Sequence, residues 1–105
     1  VYMIASGEGC VERAFQISEV LRSQTSLRVL QNAGGGSFKS QMKKADKSGA
    51  PLTIILGEQE LNSGHVILKA LRENYVLKAH GLSGGEQKLI AIDEITSNLK
   101  TIFSQ

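Results

Sequence analysis

"PLTIIL", residues 51–56, decides the fold. As an extended segment it places Leu52, Ile54 and Leu56 on one face and Thr53 and Ile55 on the other. A strand apolar on both faces belongs in the middle of a sheet covered on both sides. Pro51 blocks continuation of whatever helix precedes it, and Gly49 is a natural helix stop. Upstream, Ser37 is placed to cap a helix in which Phe38, Met42 and Ala45 recur at i, i+4, i+7. Before that lie "LRVLQ", residues 27–31, read as a strand, and a helix from Cys10 to Ser23 with Val11, Ala14, Phe15, Ile17 and Leu21 on its apolar face. "VYMIASG", residues 1–7, is apolar and ends in a turn, as a buried strand does. This β-α-β-α-β alternation predicts parallel strands with helices packed over them.

Downstream, Gly57 to Gly64 reads as a polar turn. "HVILKAL" (65–71), "NYVLKAH" (74–80) and "KLIAI" (88–92) read as strands joined by short connections, hence antiparallel additions. Asp93 is expected to cap a last helix carrying Ile95, Leu99, Ile102 and Phe103. The expected fold class is α/β, with a mixed sheet and three helices in a single domain spanning residues 1–105.

The bulk properties exclude several classes. The 105 residues hold 41% hydrophobic and 21% charged residues, ordinary for a globular fold. No apolar run is long enough to span a membrane. The start at Val1, with no Met and no signal-peptide pattern, reads as a piece of a longer or processed chain. A net charge of +2 means that any contact with nucleic acid must come from local clustering of lysines. A single Cys and the missing signal peptide point to the cytoplasm. With no Trp, two Tyr and three Phe, an extended aromatic platform for many bases is not expected.

Gly34, Gly35 and Gly36 run into the lysine-bearing helix. A P-loop needs Lys directly after its last glycine, followed by Ser or Thr; here Ser37 and Phe38 intervene. The Gly7-Glu8-Gly9-Cys10 turn stands where a dinucleotide fingerprint would, but lacks the third glycine. The glycines therefore read as a flexible strand-to-helix turn. Lys39, Lys43 and Lys47 recur every four residues and make a stripe, widened by Lys44, with Gln41 nearby. Like charges at i, i+4 repel by a few tenths of a kcal/mol, and a polyanion would relieve this. A solvated lysine face and a phosphate-contacting face fit the composition equally well.

"LSGGEQ", residues 82–87, looks like an ABC-type ATPase signature loop. Without a Walker A lysine it is a turn. Cys10 lies in the first turn of a helix, where the dipole could lower its pKa, but no His or Asp is placed to activate it. His65 and His80 have no second ligand at metal spacing. Glu58 and Glu60 could do acid–base work, or accept hydrogen bonds from base amines. No catalytic set emerges.

Residues 27–72 resemble the C-terminal anticodon-binding domain of bacterial histidyl-tRNA synthetase. The family pattern is met by Gly34-Gly35-Gly36, Lys39, Ala45-Asp46-Lys47-Ser48-Gly49-Ala50, Leu56-Gly57-Glu58-Gln59-Glu60, and Gly64 with Lys69 and Leu71. The opening "VYMIASGE" and closing "GGEQKLIAIDEITSNL" fit as well. The resemblance implies a five-stranded mixed sheet flanked by three helices, the class IIa synthetase anticodon-binding fold. It implies a module that reads the anticodon loop of histidine-accepting tRNA and holds no catalytic residue or cofactor. ATP, Mg and the ligase chemistry would belong to a class II catalytic core elsewhere in a parent enzyme, usually a homodimer. The contacting regions of related domains fall here on Gly34, Gly35, Gly36, Lys39, Gln41, Lys43 and Lys47, then Glu58 and Glu60, then Lys69.

One segment departs from the family. Residues 73–84, "ENYVLKAHGLSG", stand between the Lys-x-Leu-Arg segment and the Gly-Glu-Gln turn, and read as an extended hairpin or added strand. No tRNA role for Tyr75, Lys78 or His80 is inherited. Two other readings compete: a synthetase-like regulatory or protein-interaction domain that has lost tRNA discrimination, and a small flavodoxin-like nucleotide enzyme, which the missing phosphate motif disfavours.

Overall fold

The computed structural model describes residues 1–7, 9–31, 37–79 and 81–103. Five strands form one sheet: β1 (Tyr2–Ser6), β2 (Leu30–Gln31), β3 (Leu52–Gly57), β4 (His65–Ala70) and β5 (Gln87–Ala91), in the order β2-β1-β3-β4-β5. β1 pairs in parallel with β2 and β3; β4 and β5 add on antiparallel. The helices are α1 (Cys10–Gln24), α2 (Phe38–Lys47), α3 (Glu58–Ser63), α4 (Tyr75–Ala79) and α5 (Ile95–Ile102). No helix among the described residues is long and apolar enough to cross a membrane.

"PLTIIL" is the central strand that its composition predicts. Leu52, Ile54 and Leu56 join α1 residues Cys10, Ala14, Ile17 and Leu21 and α5 residues Ile95, Leu99 and Ile102 in the larger core. Ile55 turns to the other face and packs with Tyr2, Ile4 and Ala45 of α2. α1 and α2 thus cover opposite faces. The chain leaves β1 for β2 under one helix and returns past β1 to β3 under the other. The carboxyl ends of β1 and β3, level at the pair Ser6–Gly57, therefore flank a topological switch point, where open α/β sheets place their ligands.

Four local expectations are corrected. Residues 27–31 contribute only Leu30 and Gln31 to the sheet. Within residues 57–64, Glu58–Ser63 form a helix, not a turn: the Glu60 carboxylate accepts from the Gly57 N–H at 3.1 Å, and Gly64 ends it with φ of 76°. Tyr75–Ala79 form a helix, not a strand. The Asn74 side chain accepts from Leu77 N–H at 3.1 Å, an N-cap that outweighs the strand-like alternation, and Leu77 is fully buried. Asp93 sits in a 3₁₀ turn (Ile92–Glu94) leading into α5, whose N-cap is Glu94 without a side-chain cap bond. His80 lies outside the described residues.

The segment between β4 and β5 is fastened at its base. The Glu73 carboxylate accepts from Gly84 N–H at 2.8 Å, and Ala70 exchanges backbone bonds with Glu86 and Gly85 at 3.0 and 2.9 Å. A methyl group on Gly84 would lie 2.7 Å from Glu73 N and 2.9 Å from Arg72 C, both backbone atoms that cannot swing away. Gly84→Ala should therefore lower stability by about 1–3 kcal/mol, the usual cost of overpacking. A urea midpoint equal to that of the unmodified chain would show that the hairpin yields freely.

Candidate nucleic-acid interface

At the switch point the structure opens a groove of about 640 Å³. Its lining combines Ser6 and Gly7 after β1, Phe38 of α2, Gly57 to Glu60 at the start of α3, and Ile55, Ile67 and Gln87 on the sheet. Among the described residues α2 packs chiefly on β1, and the same sheet face continues past it onto β4 and β5, where Ile67 is half-buried. Leu89, 58% exposed, lies there.

The groove's acidic wall is built by local geometry. Gly7 has φ of 114°, and the Glu58 side chain lies directly over it, so a Cβ there would collide with the carboxylate stem. Glu60 is held by its bond to Gly57 N–H. Both glutamates act on Cys10, the first residue of α1, which is fully buried. Burial first, then Glu58 and Glu60, raises the Cys10 thiol above its usual 9.0. The helix-dipole lowering expected from sequence is overruled by these effects. Because the folded-state pKa is raised, the protonated thiol favours folding. Its contribution is complete below the unfolded value and is lost as pH rises through the folded one. Cys10 should thus react with a disulfide reagent at least about tenfold more slowly in the native chain than in denaturant. Equal rates would mean that the first turn of α1 opens readily.

The sequence-predicted residues fall into five groups. Glu58 and Glu60 come together in the groove. Lys69 is half-buried on β4, opposite Gln87 and on the same sheet face as Ile67. Lys39, Lys43 and Lys47 are exposed along α2, and among the described residues none of the three forms an ion pair. Asp46 does not neutralise the stripe: it pairs with Arg72 at 3.2 Å, and the same guanidinium donates to the Asp46 carbonyl at 2.8 Å. Gly34, Gly35 and Gly36 lie outside the described residues.

Gln41 stands apart from the lysines. It is 3% exposed, and its side-chain amide donates to Ala5 O at 2.8 Å and accepts from Ala5 N–H at 3.2 Å. Among the described residues β2 pairs with β1 through Tyr2 and Met3, and the Ala5 peptide groups are bonded by the Gln41 side chain. The Gln41 amide thus ties α2 to the backbone of β1. It is a structural clamp and not part of the exposed stripe.

Phe38 is the residue that helical periodicity misplaced. The i, i+4, i+7 pattern assigns it to the core, but the buried residues of α2 are Gln41 and Ala45. Phe38 sits in the first turn, beyond the edge of the sheet contact, and is 45% exposed in the groove wall. Ser37, accepting from Ser40 N–H at 3.1 Å, fixes the start of the helix as its sequence predicts. A cap residue followed immediately by an aromatic was the available signal that Phe38 stands at the helix mouth.

The family described as "Anticodon binding domain" matches residues 1–102. A histidine–tRNA ligase of Hydrogenovibrio crunogenus is 39% identical over 106 residues, covering all of this chain and 22% of the relative. One from Dechloromonas aromatica is 51% identical over 72 residues, covering 69% of this chain and 17% of the relative. The chain thus spans about a fifth of the length of these relatives. Among solved structures, the apo histidyl-tRNA synthetase of S. aureus superposes with a TM-score of 0.75 at 24% identity, over 94% of this chain and 22% of that one. This last likeness speaks for the fold.

Proposed function

Given that the chain belongs to the anticodon-binding-domain family, we propose that it is the tRNA-reading module of a histidine–tRNA ligase. In this reading it binds the anticodon loop of histidine-accepting tRNA. Its other partner is the ligase's catalytic core, where ATP and Mg act, in a cytoplasmic homodimer. The observation that carries the reading is a division of chemistry. The lysines of α2 form a cationic stripe outside the groove, while the groove itself offers carboxylates and apolar surface. Backbone phosphates are recognised by charge, and unstacked bases by stacking and by hydrogen bonds to their edges. A single-stranded loop presents both at once. Lys69, on the groove side of β4, adds a cation to the base-facing set.

Glu60→Gln tests the base-facing half. The amide oxygen can still accept from Gly57 N–H, so α3 keeps its start. The carboxylate's pairing with base amines is lost. Discrimination between a histidine anticodon stem-loop and one with an altered anticodon should fall about tenfold, within the range for loss of one base-edge contact, with no change in salt slope. Full retention of discrimination would remove Glu60 from the recognition set.

A further inference from the structure

The sheet registers align three apolar side chains across the open face. Ile55 of β3 pairs with Ile67 of β4, and Ile67 pairs with Leu89 of β5. Exposure rises along this row, from 6% at Ile55, through half-buried Ile67, to 58% at Leu89. Phe38 lines the same groove as Ile55 and Ile67. The neighbouring positions on this face carry polar side chains except at Ala91. Lys69 and Gln87 form the next pair on one side, and His65 and Ala91 the pair on the other, where Glu58 and Gln59 also line the groove.

We propose that this cross-strand row is the platform for consecutive unpaired bases of the bound loop. One base stacks on the Phe38 ring, and the outermost rests on Leu89. The inference rests on the anticodon-loop reading and adds the direction of the strand: the bases progress across β3, β4 and β5, not along one strand. A scattered surface leucine needs no explanation, but Leu89 continues an apolar row that begins in the core. Single-stranded nucleic acid is held by this pairing of a cationic track with apolar or aromatic faces under the bases. The lysine stripe, which starts at the residue after Phe38, supplies the track. A base lying on the row has its edges beside Lys69 and Gln87 on one side and the Glu58 wall on the other, so the polar groups that flank the row read what the row holds.

The test uses this chain with Phe38→Leu, Phe38→Tyr and Leu89→Ser, and a histidine anticodon stem-loop as the probe. Both target side chains are largely exposed, and thermal melts verify that the variants fold. Phe38→Leu and Leu89→Ser should each weaken binding about tenfold with the salt slope unchanged, and Phe38→Tyr should restore it. The Phe38 ring protons should move upfield when RNA is added to the unsubstituted chain. Unsubstituted affinity in both Phe38→Leu and Leu89→Ser, while lysine variants still lose binding, would overturn the platform and leave the anticodon reading standing. Absence of saturable binding by the unsubstituted chain would overturn both.

Discussion

Replacing Lys39, Lys43 and Lys47 together by Ala should weaken anticodon stem-loop binding about 100-fold at roughly 0.1 M salt. The magnitude follows from counterion release. Each phosphate neutralised on a single strand adds about 0.7 to the salt slope, so at about 0.1 M each lysine–phosphate pair multiplies affinity about fivefold. Without these three cations the slope also flattens by about two units. Stability should move the other way. The lysines are exposed and form no ion pairs among the described residues, so their removal relieves i, i+4 repulsion worth a few tenths of a kcal/mol. A variant that is slightly more stable yet binds poorly marks a face kept for a ligand. An unchanged salt slope in the triple variant would make the stripe a solvated face with no role in binding.

Gln41→Ala should be the opposite kind of variant, losing stability while its salt slope stays unchanged. It leaves the Ala5 N–H and carbonyl without the partners that now stand at 3.2 and 2.8 Å, in a buried setting. Each unsatisfied buried group costs about 1–3 kcal/mol, so a loss of about 2–4 kcal/mol is expected once solvent entry recovers part of the penalty. Gln41→Glu should also be poorly tolerated, because a carboxylate cannot donate to the Ala5 carbonyl. Chemical denaturation measures both. A loss below about 0.5 kcal/mol in either variant, the range of ordinary surface substitutions, would show that β1 does not depend on this clamp.

The contrast between Gln41 and its lysine neighbours shows where sequence reading succeeds and stops. The strands β1 and β3, helices α1 and α2 and the parallel-then-antiparallel order follow from apolar patterning, Gly49 and Pro51. The lysine stripe follows from spacing alone. Burial of a polar residue on the same helix does not, because it depends on which backbone groups the fold brings against α2. Glu58 and Glu60 were visible as an acidic pair. Their convergence on one wall needed α3, which was signalled by Glu60 three residues after Gly57 and by Gly64. The Asn74 cap marked α4 in the same way, but the alternation of "NYVLKAH" imitated a strand. Phe38 and Leu89 were hidden for a different reason. Periodicity tells which face of an element is apolar, but not where that face runs past the edge of its neighbour.

The most direct measurement is an NMR titration of the isotope-labelled chain with a histidine anticodon stem-loop, beside one whose anticodon is scrambled. Saturable shifts concentrated on Phe38 to Lys47 and Glu58 to Lys69, larger for the histidine loop, are the predicted result. Equal shifts with both loops would reduce the surface to a generic polyanion site. No saturable shift with either would contradict RNA reading by this domain and favour a regulatory or protein-interaction role.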